Sequence, residues 1–304
     1  MKVIDCATDS IVASLPIPAR NAILSLDTIH NKLYVGATDT FRVIDCRHDS
    51  VVASLYELRN AQAVCFAPSS FENKVYVGVD ETLFAIRVKT DTVIYRHQFY
   101  STANPIVYDA EHDRVYVGAS GSLTAMNCAD DSIVWSTYTG GVIGLAYAPA
   151  ENKVYALTGD AIYAVDGETG RQLQWLTVHS YSGLQYSALL DRVFLVSNGG
   201  DEDNARAIDC RADTVVSITP LGAYVGYLEP SVCVDSADNK LYFSAGAAGV
   251  GVVDCTTNKV TSYILASHLP YPAGPPSIVY DAHGDKLYAR RESSLFGLFA
   301  LLCG

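Results

Sequence analysis

Hydrophobic and polar positions alternate over short runs along the whole chain, and turn residues separate the runs. A clear group of four runs covers Ala22 to Asp27, Leu33 to Ala37, Phe41 to Asp45 and Ser50 to Leu55. Alternation with a period of two, bounded by Asn, Asp and Gly, predicts β-strands, and no segment has the period of an amphipathic helix. Four such strands joined by tight turns predict an antiparallel meander.

The meander recurs at regular intervals. The run Asn31-Lys32-Leu33-Tyr34-Val35-Gly36 opens a second strand, and related runs start at 73, 113, 152, 191, 239 and 285. The steps of 42, 40, 39, 39, 48 and 46 residues fall in the range of propeller blades, not of short solenoid repeats. One meander buries only part of its faces, so its neighbours must stack on it, and ring closure removes exposed edges. The sequence predicts an all-β fold, a single seven-bladed β-propeller of four-stranded antiparallel blades over residues 1–304.

The two ends of the chain predict how the ring closes. The last unit has three strands, Ser277 to Tyr280, Leu287 to Arg290 and Leu295 to Ala300, but no fourth. Because Ser10 to Leu15 matches a fourth strand, we expect the N-terminal strand to pair with the C-terminal blade. Lys2 to Asp5 is then a surplus third strand that competes with 295–300, and the sequence leaves open which of the two pairs there.

The net charge and the hydropathy of the chain limit the kinds of partner that it can bind. A formal net charge of −12 and a pI near 4.9 argue against a nucleic-acid backbone or an anionic membrane surface as the main partner. The most apolar stretch, Leu295 to Cys303, is about half of the roughly 18 residues that a membrane span needs. The first residues show no signal peptide. We expect no membrane insertion, no nucleic acid and a monomer.

The second strands carry a family resemblance. Tyr34-Val35, Tyr76-Val77 and Tyr116-Val117 match the first two letters of the Tyr-Val-Thr-Asn run that defines YVTN-type propeller repeats, while small residues replace the Thr-Asn half. The resemblance covers the whole chain and implies the propeller fold. It also implies a secreted or cell-surface parent protein, and it says little about chemistry because such folds have unrelated functions.

A second resemblance is confined to one repeat. The segment Ala164 to Trp175 resembles the tryptophan-docking motif of quinoprotein dehydrogenase propellers. In that family the tryptophan packs between adjacent blades, and the motif itself does not hold the quinone. The resemblance therefore implies that Trp175 is a packing residue, and we expect no cofactor.

Repetition accounts for most cysteines and carboxylates. Five cysteines occupy the end of a third strand: Cys6, Cys46, Cys128, Cys210 and Cys255. Equivalent positions of different blades are too far apart for disulfides, so free thiols are expected. Two sets of aspartates recur around the following turn: Asp5, Asp45, Asp166, Asp209 and Asp254, then Asp9, Asp49, Asp91, Asp131 and Asp213. Such residues cap turn N–H groups, so their pairing does not indicate acid–base catalysis.

Candidate site residues are sought where the repeats differ. The loops that lead into first strands emerge on the same face as those between second and third strands, around the channel mouth, and they are rich in large polar and aromatic residues. The predicted ligand-binding residues are Arg20, Tyr56, Arg59, Tyr100, His179, Tyr181, Tyr224, Tyr227, His268 and Tyr271. Tyrosine and arginine combine buried area with directional hydrogen bonds, which favours recognition of a protein, peptide or glycan.

Catalysis at the same channel mouth is the alternative function. The chain has no haem-attachment, HExxH or Gly-x-Ser-x-Gly motif, but propeller lyases and hydrolases use dispersed residues. Such an enzyme would draw its acid and base from His179, His268, Glu57 and Glu229. We expect a non-catalytic binding or scaffold module without a metal site; a repeat array with no site of its own also stays open.

Overall fold

A computed structural model provides the structure of this chain. It describes residues 2–5, 10–15, 17, 23–178, 181–197, 203–222, 232–235, 238–245, 250–264, 277–281, 286–290 and 298–302. By its internal contacts the chain divides into two compact units, residues 1–147 with 167–171 and residues 148–166 with 172–304. The two units are called the first unit and the second unit below.

The described residues form 28 strands and two single-turn 3-10 helices, Tyr56–Leu58 and Pro149–Glu151. The strands up to residue 148 are β1 (Lys2–Asp5), β2 (Ser10–Ser14), β3 (Ile23–Asp27), β4 (Lys32–Gly36), β5 (Phe41–Asp45), β6 (Ser50–Leu55), β7 (Ala61–Ala67), β8 (Lys74–Val79), β9 (Thr82–Arg87), β10 (Thr92–Gln98), β11 (Ile106–Asp109), β12 (Arg114–Asn127), β13 (Ile133–Gly141) and β14 (Gly144–Ala148).

The later strands are β15 (Lys153–Leu157), β16 (Ala161–Asp166), β17 (Gln172–Thr177), β18 (Tyr181–Ser187), β19 (Arg192–Ser197), β20 (Asn204–Asp209), β21 (Thr214–Pro220), β22 (Val232–Asp235), β23 (Lys240–Ser244), β24 (Val250–Asp254), β25 (Lys259–Ile264), β26 (Ser277–Asp281), β27 (Lys286–Arg290) and β28 (Leu298–Leu302). No helix in the described part of the chain has the length and apolarity that a membrane span requires.

The strands form antiparallel meanders, as the sequence predicted. Five sheets have four strands in chain order: β3 to β6, β7 to β10, β14 to β17, β18 to β21 and β22 to β25. The all-β class is confirmed, and this succession of meanders fits a β-propeller fold.

A sixth meander is formed by β11, β12 and β13. Residues Arg114–Val117 of β12 pair with β11, whereas residues Ser120–Met126 pair with β13. The backbone N–H of Cys128, just after β12, donates to the carbonyl of Asp113, just before it, at 2.9 Å. The two ends of β12 therefore meet, and this one long strand supplies both the second and the third run of its sheet.

Asn and Asp set the turns by adopting left-handed backbone conformations. Asn31, Asp113, Asn152, Asp191 and Asn239 have φ between 46° and 57° immediately before their second strands. These two residue types tolerate that region better than other non-glycine residues. The predicted capping by aspartate is confirmed for the first set: the carboxylates of Asp45, Asp209 and Asp254 each accept a backbone N–H two residues on.

Backbone hydrogen bonds distinguish two ends of each meander. At one end, the connection to the next sheet bonds to the turn between second and third strands, as in Asn60 N–H to Ala37 O at 3.1 Å and Leu221 N–H to Asp203 O at 2.9 Å. At the other end, Cys46 N–H donates to Asn31 O at 2.8 Å, which joins the two remaining turns. We call these the rim end and the turn end. The prediction that both loop sets emerge on one face is confirmed within these sheets.

A repeated polar contact joins one sheet to the next at the turn end. Lys74 Nζ on β8 donates to Asp131 Oδ2 at 2.7 Å, and the Tyr76 hydroxyl donates to Oδ1 at 2.6 Å. In the second unit, Lys153 and Tyr155 on β15 make the same two bonds to Asp213 at 2.8 and 2.6 Å. Lysine and tyrosine two residues apart on a strand share one face, which directs both to one carboxylate.

The lysine–tyrosine–aspartate contact, called the clamp below, is buried. The Lys74 side chain is 3% exposed and that of Asp131 is 9% exposed. Burial and then the hydrogen bond to Asp213 raise the pKa of the Tyr155 hydroxyl, which keeps the proton that it donates. Lys32 bonds Asp91 in the same way at 2.7 Å, but the Tyr34 hydroxyl beside it is buried without a hydrogen-bond partner.

Apolar packing completes each contact between sheets. In the first unit, one cluster joins Tyr34, Phe41 and Val43 to Val75 and Val77 of the following sheet. A second cluster in that unit includes Tyr76, Leu83, Val115 and Val117. In the second unit, Phe194 and Val196 pack with Leu241 and Phe243. The core therefore lies between successive sheets, where meanders bury their faces against each other.

The chain ends form two further sheets. Strand β1 pairs with β2 in a two-stranded sheet, and β28 pairs with β27 in the sheet of β26, β27 and β28. The third strand of the last unit is observed at Leu298–Leu302 and not at the predicted 295–300, and each of the two competing third strands has a partner of its own. The predicted pairing of the N-terminal strand with the C-terminal blade is not among the strand pairs of the described residues, so closure and the number of blades stay predictions.

We predict that Asp131→Asn, which preserves the left-handed turn but removes the charge, lowers the free energy of unfolding by about 3 kcal/mol. The reason is that Lys74 is left as an uncompensated buried charge. Equilibrium unfolding in urea measures the change. Adding Lys74→Met should recover part of the loss, because the double variant has no unpaired charge.

The matched control is Glu72→Gln, which breaks the half-exposed pair of Arg87 and Glu72. An exposed pair contributes at most about 1 kcal/mol. If Asp131→Asn costs no more than Glu72→Gln, the clamp does not stabilise the sheet interface.

Candidate functional site

The rim end of the first unit carries the predicted site residues that the structure describes in full. Tyr56 follows β6 and is 73% exposed, and Tyr100 follows β10 and is fully exposed. Arg59 is exposed in the same connection as Tyr56. Tyr181 is described only as the first residue of β18. The other candidates lie outside the described residues: Arg20, His179, Tyr224, Tyr227, His268 and Tyr271.

Charged pairs surround Tyr56. Arg42 donates two hydrogen bonds to Asp39, at 3.0 and 2.6 Å. These bonds raise the pKa of the Arg42 guanidinium, and the nearby Tyr56 hydroxyl adds to the effect. Glu57, next to Tyr56, accepts a hydrogen bond from Arg96 of the following sheet. Tyr56 is therefore close to the pair of Arg42 and Asp39, and it is adjacent in sequence to the pair of Glu57 and Arg96.

Arg96 continues this surface across the next sheet. Its guanidinium carbon lies 5.5 Å from the centre of the Phe84 ring, within the range of a cation–π contact. The side chain stays 61% exposed although it contacts both Glu57 and Phe84. A ligand at the rim end can therefore reach the Arg96 charge.

Tyr100 and Tyr138 lie close in the chain or the sheet to a hydrogen-bonded pair of serines, Ser101 and Ser120. Ser101 Oγ accepts a hydrogen bond from the Ser120 N–H at 2.5 Å, which fixes the Tyr100 loop to the neighbouring sheet. Tyr138 pairs with Ser122 across the two strands, and its ring lies 3.8 Å from the position that a Cβ would take at Gly121. Tyr138 is 82% exposed. We call Tyr56, Glu57, Arg59, Arg96, Tyr100 and Tyr138 the rim patch.

The described groups offer little for acid–base catalysis at the rim. Glu57, one of the four candidate catalytic groups, is paired with Arg96, and His179, His268 and Glu229 lie outside the described residues. His30 and His112 lie at the turn end and bond Asp27 and Asp109 at 2.8 and 2.9 Å. Among the described residues, no three His, Cys, Asp or Glu side chains are grouped to hold a metal ion.

Most cysteines in the described part of the chain are buried thiols. Cys128, Cys210 and Cys255 are free and buried, and Cys46 is free and exposed. Burial raises the pKa of each of the three buried thiols to about 12. A protonated thiol is a weak nucleophile, so these groups are inert near neutral pH.

The clamp was missed by the sequence reasoning. The second aspartate set was assigned to turn capping, but Asp91, Asp131 and Asp213 bind lysines of the preceding sheet. The recurrence of Lys-x-Tyr in second strands at the same period as these aspartates was the available signal. The sequence could not show that the two repeats meet, because their partners are 57 to 60 residues apart.

The prediction that Trp175 is a packing residue was wrong. Trp175 is 55% exposed, so it is not a packing residue. Trp135 takes that role: its Nε1–H donates to the Gly167 carbonyl at 3.0 Å, and its ring covers Gly170. Strand register explains the difference, because Trp135 pairs with Ala125, whereas the equivalent Ala164 pairs with Gln174. Trp175 lies one residue further and so points to the other face of its strand.

The Trp135 contact replaces a clamp. Gly170 occupies the turn position that Asp131 and Asp213 occupy in other sheets, and it has no carboxylate to offer. Arg114 stands in place of lysine and donates to the Gly167 carbonyl at 3.0 Å and to Glu168 at 2.8 Å. The Gly167 carbonyl and the Glu168 carboxylate thus accept from Arg114 in place of the missing aspartate, and Trp135 covers the glycine.

Comparisons with known proteins support the fold alone. No family model and no curated protein matches the sequence. Hydrazine synthase from Kuenenia stuttgartiensis is similar in structure with a TM-score of 0.71, at 14% identity, over 92% of this chain and 94% of that one. The computationally designed Ika8 protein is similar with a TM-score of 0.76, at 16% identity, over 95% and 86% of the two chains.

We predict that Gly170→Ala lowers the free energy of unfolding by about 2 kcal/mol or more. Gly170 has φ of +70°, and an added Cβ would lie 2.6 Å from Cδ2 of Trp135. Urea unfolding measures the loss. Gly159→Ala is the control, because a Cβ there meets nothing within 4 Å. Equal stability of the two variants would contradict the docking role of Trp135.

Proposed function

We propose that this chain is a non-catalytic binding or scaffold module, part of a larger surface protein, that recognises a segment of another protein at the rim patch. The observation that carries the proposal is the exposure of Tyr56, Tyr100 and Tyr138, which is 73%, 103% and 82%. Tyr56 and Tyr100 lie in connections that follow fourth strands, and Tyr138 lies in the second half of the fourth strand β13. Single exposed aromatic residues are ordinary, but this recurrence in successive sheets is not.

The chemistry of the rim patch suits a peptide chain. Tyrosine contributes a large apolar ring and a hydroxyl and loses little side-chain entropy when it is bound. Arg96 and Glu57 offer one charge of each sign next to these rings. Aromatic and arginine side chains are the residues that dominate binding energy at protein interfaces. Variable loops on a rigid scaffold are also where recognition usually resides.

We further propose that seven blades close into one propeller, in which β1 and β2 complete the sheet of β26, β27 and β28. In that arrangement the rim patch borders the channel mouth. The clamp would supply the register, because Lys32, Lys74 and Lys153 open second strands and bond the turn aspartate of the following sheet. Lys286 would then meet Asp49.

We predict that a selection of displayed random peptides on the purified protein yields binders that depend on the rim patch. Tyr56→Ala, Tyr100→Ala and Tyr138→Ala should each weaken the selected peptide by about tenfold, because each removes an exposed anchor. Isothermal titration calorimetry measures the affinities.

Phe71→Ala is the matched control for these variants. Phe71 is an aromatic residue with 77% exposure, but it precedes β8 at the turn end. Its removal should leave the affinity unchanged. Failure to enrich any peptide, or equal effects of the tyrosine and Phe71 variants, would overturn the proposed recognition site.

We predict a coupling free energy of about 1 kcal/mol or more between Lys286 and Asp49 if seven blades close as proposed. A double-mutant cycle with Lys286→Met and Asp49→Asn measures it by urea unfolding, and the cycle of Lys32 and Asp91 calibrates the size. Coupling of Lys286 to Asp9 would instead mean that β1 and β2 belong to a separate eighth blade. Absence of coupling to either aspartate would contradict closure through the clamp.

A further inference from the structure

A shallow depression lies on the face of β16 and β17 in the second unit. It has a volume of about 410 Å³ and is lined by Asp160, Ala161, Tyr163, Gln172, Trp175 and Thr177. Ligand sites commonly fall in this range of volume and combine aromatic side chains with a few polar groups. The depression is open on one side, so it suits an extended ligand.

Two aromatic side chains form the floor of the depression. Tyr163 and Trp175 are directly opposite each other on neighbouring strands, so they share one face of the sheet. Trp175 is 55% exposed, although tryptophan has the largest apolar surface of any side chain. Its exposure follows from the strand register, which gives the docking position to Gln174. The side chain is therefore available to a ligand.

Neutral polar groups stand at both ends of this floor. Thr177 pairs with Ala161 on the same face beyond Trp175, and Gln172 lies at the other end of β17. No hydrogen bond of the described residues engages the Tyr163 hydroxyl, the Trp175 indole N–H or the Gln172 amide. Donors and acceptors are thus available along the length of the floor.

The charges around the depression restrict the ligand further. Asp160 is the ionisable acid among the lining residues, and one of its carboxylate oxygens accepts a hydrogen bond from Thr158 at 3.2 Å. No lysine or arginine is among the lining residues that the structure describes, and the nearby Arg206 guanidinium donates to the Thr177 carbonyl at 3.4 Å, so a phosphate or carboxylate ligand finds no basic side chain in the lining itself. An organic cation gains most when aromatic faces enclose it, whereas these two rings lie side by side in an open depression.

We propose that this depression binds a neutral oligosaccharide. A sugar ring has a flat face of C–H groups that can stack on Trp175 and Tyr163, and a belt of hydroxyl groups that can bond Asp160, Gln172 and Thr177. This ligand uses both the aromatic floor and the unengaged polar groups. The inference is independent of the rim patch, which would recognise a protein segment in the first unit.

The test titrates the purified chain with neutral hexasaccharides of glucose, xylose, mannose and N-acetylglucosamine by isothermal titration calorimetry and tryptophan fluorescence. We expect saturable binding to at least one of them. Trp175→Ala should weaken that binding by about tenfold or more, and Trp175→Phe should restore part of it, because an aromatic ring remains. Gln172→Ala should weaken it by a few-fold, through the loss of one hydrogen bond.

Phe71→Ala is again the control, because it removes an exposed aromatic residue that belongs to the first unit and not to the depression. It should not change the sugar affinity, and an unchanged melting temperature of Trp175→Ala would show that the variant is folded. The proposal is overturned if no hexasaccharide binds at about 10 mM, or if binding is equal in Trp175→Ala. It is also overturned if tetramethylammonium binds in a manner that depends on Trp175 while the sugars do not.

Discussion

The interaction on which the structure depends most is the buried contact between a lysine of one sheet and a turn aspartate of the next. Lys74 and Asp131, at 2.7 Å, show it in the first unit, and Lys153 and Asp213, at 2.8 Å, show it in the second. Burial of one such charge alone would be costly, so a sheet that buries this lysine needs a neighbour that supplies the opposite charge. The tyrosine two residues after the lysine satisfies the second carboxylate oxygen, and apolar packing between the sheets does the rest. Apolar packing alone would allow several alignments of neighbouring sheets, and the lysine–aspartate contact selects one of them.

A departure from the clamp in the first unit shows what the interface requires. Where Gly170 replaces aspartate, Arg114 reaches the Gly167 carbonyl and Glu168, and Trp135 covers the glycine. The partner groups change together, but the contact remains at the turn end. The clamp lies at the turn end, so the connections at the rim end can differ from sheet to sheet without breaking it. Because the stabilising contacts lie at the turn end, Tyr56, Tyr100 and Tyr138 can remain exposed without loss of the fold. For the same reason, the rim patch is where we expect recognition.

Sequence reasoning succeeded where the physics is local. The alternation of apolar residues, with Asn or Asp before each second strand, identified the meanders and their turns, since strand period and left-handed turns depend on a few neighbouring residues. It failed where the outcome depends on strand register across a sheet. Trp175 carries the motif but Trp135 makes the contact, because Gln174 takes the position opposite Ala164. It likewise identified Tyr56 and Tyr100 as rim residues but could not foresee the ion pair of Glu57 with Arg96.

The sequence by itself determined the all-β class, the four-run repeat, the left-handed turn residues and the division of each meander into a turn end and a rim end. These properties follow from side-chain periodicity and from the conformations that Asn, Asp and Gly allow. Only the tertiary structure decided that Asp131 neutralises Lys74, that Trp135 rather than Trp175 is packed, and that Tyr163 and Trp175 share an open face. Those outcomes depend on which side chains meet across neighbouring sheets, and residues nearly 60 positions apart are brought together only when successive sheets stack.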